Sequence, residues 1–148
     1  MRRRLMALKK SGGSVGLPDG YTAVNYIQSS GTQWIEMGVA PSQNTKVVLK
    51  IKINSLTNQG ASLIGSRTDL NSTDQFTTYL DNYGGSRFLF RVDGQTSTTP
   101  FSGVKTNTFY TVTLSASEMR FELEDGTIAF SSTFSVSDFT STVTMALF

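Results

Sequence analysis

The stretch LPDGYTAVNYIQSSGTQWIEMGVAP, Leu17 to Pro41, carries the strongest local signal in the chain. Two short apolar runs, one centred on Tyr26-Ile27 and the other on Trp34-Ile35, flank the segment Ser29–Thr32. Extended apolar residues on both sides of a turn that contains glycine are typical of a β-hairpin. The stretch therefore predicts a hairpin near the start of an antiparallel sheet.

Most of the remaining chain alternates apolar and polar residues in short runs. In KVVLKIKI, Lys46–Ile53, every second residue is apolar, and lysines fill three of the four positions between. A period of two is typical of a half-buried antiparallel strand. Runs of the same kind predict further strands at Ser62–Ser66, Phe76–Leu80, Arg87–Val92, Gln95–Thr99, Phe109–Ser115, Met119–Leu123, Thr127–Thr133 and Thr142–Leu147.

Turn signals separate these runs. Gly84-Gly85, Asp93-Gly94 and Asp125-Gly126 suit tight hairpins, because such turns need positive φ angles. No stretch has sustained helical periodicity, although a short helical turn is expected near Ser135–Phe139. Short strands at this spacing predict an all-β, antiparallel sandwich.

The composition limits the chemistry available to the protein. A chain of 148 residues fits one domain with a two-layer core. The sequence has no Cys and no His, which excludes disulfides, Cys/His zinc sites and histidine-based catalysis.

The basic residues are concentrated at the start of the chain. The first ten residues contain five of the thirteen Lys and Arg residues, which leaves eight basic and eleven acidic residues from Ser11 onward, a net charge of −3. The domain is therefore not expected to bind nucleic acid. The apolar run Leu5–Leu8 is shorter than the roughly 7–15 residues of a secretory signal, and no stretch is apolar enough for a membrane span.

These composition shifts divide the chain into a basic arm (residues 1–10), a Gly/Ser linker (11–16) and a sandwich domain (17–148). A basic peptide on a flexible tether is suited to anchoring a domain to a larger particle. A charged terminal tail without structure is the alternative. The residues predicted to anchor the arm are Arg2, Arg3, Arg4, Leu5, Lys9 and Lys10.

Beyond the opening hairpin, five segments in order resemble the concanavalin A-like, laminin-G-like β-sandwich modules of phage structural proteins and gut-bacterial surface proteins. They are LIGSR (Leu63–Arg67), SRFLFRVDGQT (Ser86–Thr96), TNTFYTVTL (Thr106–Leu114), FELEDGTI (Phe121–Ile128) and TMALF (Thr144–Phe148). The resemblance implies a jelly roll related to lectins and glucanases. Family members usually continue with further strands after the last segment, so the chain is expected to leave a sheet edge uncovered and to form oligomers or larger assemblies.

The resemblance also implies a function, because these modules bind or build and rarely catalyse. The first expectation is a non-catalytic virion component, such as a head-decoration, fibre or tail module attached through its arm to other virion proteins. The alternative is a carbohydrate-binding, lectin-like module of a bacterial surface protein or phage adhesin. Neither expectation includes an enzyme activity.

The candidate ligand-binding residues are Trp34, Glu36 and Arg67. Strand alternation in QWIEM places Trp34 and Glu36 on one face, opposite Ile35 and Met37. An outer Trp beside a carboxylate could stack on a sugar ring or anchor a protein contact, or it could simply cover a sheet edge. Arg67 could reach a ligand or, like Arg87, serve as a structural ion-pair partner.

Two groups of side chains with carboxylate or amide oxygens invite a catalytic or metal-binding interpretation. Glu122 and Glu124 share a strand face, but Asp125-Gly126 marks a hairpin end, so no catalytic carboxylate pair is expected. An oxygen-rich group could hold Ca²⁺ but matches no defined calcium loop, so no metal or cofactor is predicted. Its members are Asp69, Asn71, Asp74, Asp81 and Asn82.

Overall fold

The computed structural model describes residues 26–29, 34–57, 60–68, 74–81, 86–96 and 99–147. The regular structure in these ranges is entirely β. The strands are β1 (Ile35–Glu36), β2 (Lys46–Ile53), β3 (Ser62–Ser66), β4 (Phe76–Asp81), β5 (Arg87–Val92), β6 (Gln95–Thr96), β7 (Thr108–Ser115), β8 (Glu118–Leu123), β9 (Ile128–Thr133) and β10 (Ala146–Leu147). The predicted arm, the linker and the first residues of the predicted domain lie outside these ranges.

The strands form two antiparallel sheets packed on each other. One sheet has six strands in the order β1-β10-β3-β4-β5-β6, and the other has four in the order β2-β7-β8-β9. The predicted antiparallel β-sandwich is confirmed. Its more specific description as a concanavalin A-like jelly roll stays a prediction.

The alternating strands supply the core, as their pattern predicts. The inward residues Val47 and Ile53 of β2 are buried, and so are Tyr110, Val112 and Leu114 of its partner β7. Aromatic rings join the two sheets at the centre. The ring of Phe121 on β8 lies beside three others, with centroids 5.6 Å from Phe88, 4.8 Å from Phe101 and 5.8 Å from Tyr110.

In the described residues, the first run of the predicted opening hairpin is not paired with the second. Tyr26–Ser29 has no strand structure, and the predicted turn residues 30–32 lie outside the described ranges. Ile35 and Glu36 pair instead with Leu147 and Ala146 at the far end of the sequence. The pairing is therefore non-local, which the apolar pattern of the hairpin does not encode.

The last strand lies inside a sheet. β10 is bonded on one side to β1 and on the other to β3, where Ala146 faces Gly65. The last strand is therefore not itself a sheet edge, and the edge expected from the absence of the family's further strands stays a prediction. In the described residues, the edges are β1 and β6 in the six-stranded sheet and β2 and β9 in the other.

The predicted strand Thr142–Leu147 is regular only at Ala146–Leu147. The hydroxyl of Ser141 accepts a hydrogen bond from the Val143 amide and donates one to the Val143 carbonyl. Such local bonds from a side chain to the backbone compete with a sheet ladder. Further along, the Met145 amide donates to the Val39 carbonyl at 2.8 Å, so the segment still runs beside the chain that follows β1.

The expected helical turn near Ser135–Phe139 is also wrong, because this segment has no helical structure. Its end is bonded to a distant part of the chain. The Phe139 carbonyl accepts from the Gln43 amide, and the Ser141 amide donates to the Pro41 carbonyl. Within the described ranges, no helix is long and apolar enough to cross a membrane.

Two local features shape the six-stranded sheet. The register shifts between Ser62 and Ile64, so Leu63 is an extra residue opposite β4. Leu63 and Ile64 then both pack toward the core, as in a β-bulge. At the β5–β6 turn, Asp93 and Gly94 have φ angles of 49° and 70°, the positive values predicted for this hairpin.

Candidate functional site

Trp34 and Glu36 occupy the outer side of the edge strand β1. The Trp34 side chain is 68% exposed, Glu36 is exposed, and Ile35 between them is half-buried. The predicted alternation of exposure holds at Trp34, Ile35 and Glu36, but Met37, which was expected on the same face as Ile35, is exposed. Val39, also beyond the end of β1, is exposed as well. Trp34, Glu36, Met37 and Val39 together form an exposed sheet edge, the β1 rim.

A hydrogen bond holds the carboxylate of Glu36. The hydroxyl of Thr144, just before β10, donates to Glu36 Oε1 at 3.1 Å. Side chains two residues apart on a strand lie roughly 7 Å from each other on the same face. The bond therefore fixes a carboxylate next to an exposed indole, and Thr144 joins the site as a residue that the sequence did not predict.

Small residues adjoin this edge on the outer face of the six-stranded sheet. The register places Glu36, Ala146, Gly65, Thr77 and Arg91 in one row across five strands. A Cβ on Gly65 would lie only 2.3 Å from Thr77 Oγ1, so this position has no space for a larger residue. Gly65 and Thr77 are buried, which leaves the accessible groups at the β1 rim.

Tyr79 and Arg91 lie on the same outer face, nearer the other edge. The Arg91 guanidinium is 5.7 Å from the centroid of the Tyr79 ring, within the range of a cation–π contact. Both side chains are half-buried. Their outward orientation follows from strand alternation, but their position relative to Trp34 depends on strand order, which the sequence pattern does not provide.

The structure does not bring Arg67 to Trp34. Arg67 is exposed and follows β3 two residues beyond Gly65, whereas Trp34 precedes Glu36 by two residues. Because β1 and β3 run in the same direction, the two side chains lie at opposite ends of the face. Strand spacing and rise put them about 16 Å apart. Arg67 is therefore separate from the site formed by Trp34, Glu36 and Thr144.

Arg87 is a structural ion-pair partner, one of the roles predicted for it. Its Nη2 atom is 2.8 Å from Asp81 Oδ2, and its Nε atom donates to the same oxygen at 3.1 Å. Asp74 Oδ2 accepts a bond from the Thr142 hydroxyl. The other members of the oxygen-rich group, at positions 69, 71 and 82, lie outside the described ranges, and the residues inside them contain no group of three acidic side chains that could hold a metal ion.

The carboxylates near the β8–β9 turn each have a local partner. Glu122 pairs with Arg120, and Glu124 Oε1 is 2.7 Å from Lys50 Nζ. The backbone amide of Thr127 donates to Asp125, which holds the pKa of Asp125 below its usual value. A general acid in a glycosidase needs a raised pKa, so this hairpin end lacks that feature at Asp125.

No family model, curated protein or solved structure matches the chain. The resemblance to concanavalin A-like modules therefore stays a prediction.

Proposed function

We propose that this protein is a non-catalytic binding module that holds a glycan at the β1 rim. The observation that supports this most strongly is the exposed Trp34 beside a carboxylate fixed by Thr144. An indole face stacks on the apolar face of a sugar ring, and a carboxylate accepts charge-assisted hydrogen bonds from sugar hydroxyls. Together these groups provide the two kinds of contact that a sugar needs.

The ligand would approach from the edge of the sheet. Gly65 and Thr77 in the middle of the outer face are buried, so contacts with them do not contribute. The exposed Met37 and Val39 extend the apolar surface along the same rim. A site of this kind suits an exposed segment of a glycan chain rather than a small molecule enclosed in a pocket.

A glycan array followed by isothermal titration calorimetry tests the proposal. For a glycan that binds, Trp34→Ala is expected to weaken affinity about 30-fold, as for loss of an anchor worth about 2 kcal/mol. Phe109→Ala is the matched control, because Phe109 is an exposed aromatic residue on the other sheet. An array without binding, or equal affinity for Trp34→Ala and wild type, would contradict the proposal.

Attachment to a virion through the arm is a second proposal. It is favoured by the contrast between a ten-residue arm with five basic residues and a remainder of net charge −3. Deletion of residues 1–10 is then expected to abolish incorporation into particles and to leave the circular dichroism spectrum of the sandwich unchanged. Normal incorporation of the deleted protein would refute the attachment role, whatever the result of the glycan experiment.

A further inference from the structure

The outer face of the four-stranded sheet carries opposite charges in two stripes. On edge strand β2, the exposed lysines are Lys46, Lys50 and Lys52. On β8 and the turn after it, the glutamates are Glu118, Glu122 and Glu124. Strand β7 lies between the stripes and contributes Phe109, which is 41% exposed, together with Thr and Ser side chains.

The strand register aligns the two stripes row by row. Lys50 pairs with Thr111, which pairs with Glu122 on its other side. Lys46 pairs with Ser115 and Lys52 with Phe109. One further step of the β7–β8 ladder at each end brings Ser115 level with Glu118, and Phe109 level with Glu124. Each lysine therefore shares a row with a glutamate two strands away.

The row between Lys46 and Lys50 has no lysine on β2. Val48 pairs with Thr113, which pairs with Arg120 on β8. Val48 is exposed, and Ile128 is a further exposed apolar side chain on β9. The face thus combines exposed apolar side chains with nearly balanced charge, a combination that favours contact with another surface over full solvation.

Contacts within the chain leave the Lys50 and Glu124 charges accessible, whereas Glu122 is half-buried and would exchange its Arg120 partner on association. The Lys50–Glu124 pair is more than half exposed at both side chains. The ammonium groups of Lys50 and Lys52 lie 5.3 Å and 5.7 Å from the centroid of the Phe109 ring. Exposed ion pairs of this kind contribute little to stability, so they exchange readily for pairs with a second molecule.

We propose that this face is an interface between two copies of the chain, related by a two-fold axis that runs parallel to the strands above β7. This axis places β2 of one copy over β8 of the other. Lys46, Lys50 and Lys52 then face the partner's Glu118, the partner's Glu122 and the partner's Glu124. A two-fold axis perpendicular to the strands would instead place lysine over lysine, which repels.

A second copy fits this face better than an unrelated partner does. A two-fold interface requires one surface that complements itself, so that each contact occurs twice. The matched order of lysines and glutamates meets that requirement, and the same axis brings Phe109 against the partner's Phe109. The sheet face measures roughly 27 Å by 14–19 Å, smaller than the roughly 800 Å² per partner of a standard interface, so the dimer is weak and sensitive to salt.

The dimer goes beyond the proposed glycan site, which lies on the other sheet. In this arrangement the two β1 rims remain uncovered and belong to opposite sides of the pair. A protein with two such rims binds multivalent glycans more strongly than its single site does. Failure of the dimer would leave the single-site affinity unchanged, so the two proposals are tested separately.

Charge reversal of the stripes in the full-length chain tests the interface. One variant carries Lys46→Glu, Lys50→Glu and Lys52→Glu, and the other carries Glu118→Lys, Glu122→Lys and Glu124→Lys. Each variant alone places like charges opposite each other and is expected to sediment as a monomer. Their mixture restores opposite charges at every position and is expected to form a one-to-one heterodimer.

Wild-type sedimentation provides a test that needs no variant. The expected result is a monomer–dimer equilibrium that shifts to monomer as salt is added. Lys105→Glu is the matched control. Lys105 is exposed in the loop before β7, and its amide donates to the hydroxyl of Tyr110, a core residue of the inner face, so its reversal should leave the dimer intact. A wild-type monomer at millimolar concentration, a dimer that both triple reversals leave intact, or folded variants that fail to associate when mixed would overturn the proposal.

Discussion

Replacement of Gly65 by Ala tests the packing between β3 and β4 on the outer face of the six-stranded sheet. The new Cβ would lie 2.3 Å from Thr77 Oγ1 and 3.0 Å from Thr77 Cβ. Both distances are shorter than van der Waals contact, and Thr77 is buried. We therefore expect the two strands to separate locally or the Thr77 side chain to leave its position.

The expected loss follows from two opposing effects. Overpacking a well-packed site destabilises by about 1–3 kcal/mol. Replacing glycine by alanine also lowers the conformational entropy of the unfolded chain. Where the backbone conformation suits alanine, this effect stabilises the folded state by about 0.4–1 kcal/mol and offsets part of the loss. Gly65 is not among the glycines with positive φ, so this offset applies. The net destabilisation should be about 1–2 kcal/mol, equivalent to a fall in Tm of about 3–8 °C for a chain of this size.

Urea unfolding of wild type, Gly65→Ala, Thr77→Ala and the double variant measures the effect. The midpoint should fall for Gly65→Ala without a change in the m value. Thr77→Ala removes the oxygen that causes the closest contact but leaves its Cβ, so the double variant should recover part of the loss, with a coupling of about 0.5–1.5 kcal/mol. Equal stability of Gly65→Ala and wild type, or strict additivity in the double variant, would refute the reasoning.

Three further predictions concern the core, a turn and the pH dependence. Phe121→Ala should destabilise the protein by about 3–5 kcal/mol in thermal unfolding, because Phe121 is fully buried among three rings. Phe109 is exposed, so Phe109→Ala should change the free energy of unfolding by no more than about 0.5 kcal/mol. Gly94→Ala should lower the free energy of unfolding by about 1 kcal/mol, because a φ of 70° strains a residue that has a Cβ. An unchanged midpoint in urea unfolding would argue against the positive-φ turn. The Thr127 amide lowers the pKa of Asp125 in the folded state. The stabilisation from this hydrogen bond is therefore complete above the usual Asp pKa, and it is lost as the pH falls through the lowered folded-state pKa. The stability difference between wild type and Asp125→Ala should therefore shrink in acid, and an NMR titration of Asp125 at or above the ordinary Asp pKa would contradict this cause.

Strand positions could be predicted because their signal is local. Alternation in Lys46–Ile53 and Arg87–Val92 assigns both the extended backbone and the buried face, and the structure has strands with these bounds. The extra residue at Leu63 could not be predicted, since LIGSR continues to look extended through the bulge. Alternation alone would have put Leu63 and Ile64 on opposite faces.

Strand pairing was harder to predict than strand position. The pairing of β1 with the far end of the chain could not be predicted, because a short apolar run does not specify its partner. The same limit applies to the candidate site. Trp34 and Glu36 follow from alternation, but Thr144 is 108 residues from Glu36 in sequence and is positioned only by the β1–β10 pairing.

Trp34 itself permits the most direct test of the glycan site, because it is the sole tryptophan in the chain. Its side chain is 68% exposed, so its fluorescence should resemble that of a solvated indole and be quenched efficiently by acrylamide. Titration with a glycan identified on the array is predicted to shift the emission to shorter wavelength and to protect Trp34 from the quencher, with a midpoint equal to the calorimetric Kd. A glycan that binds while emission and quenching of Trp34 stay unchanged would contradict the proposed site.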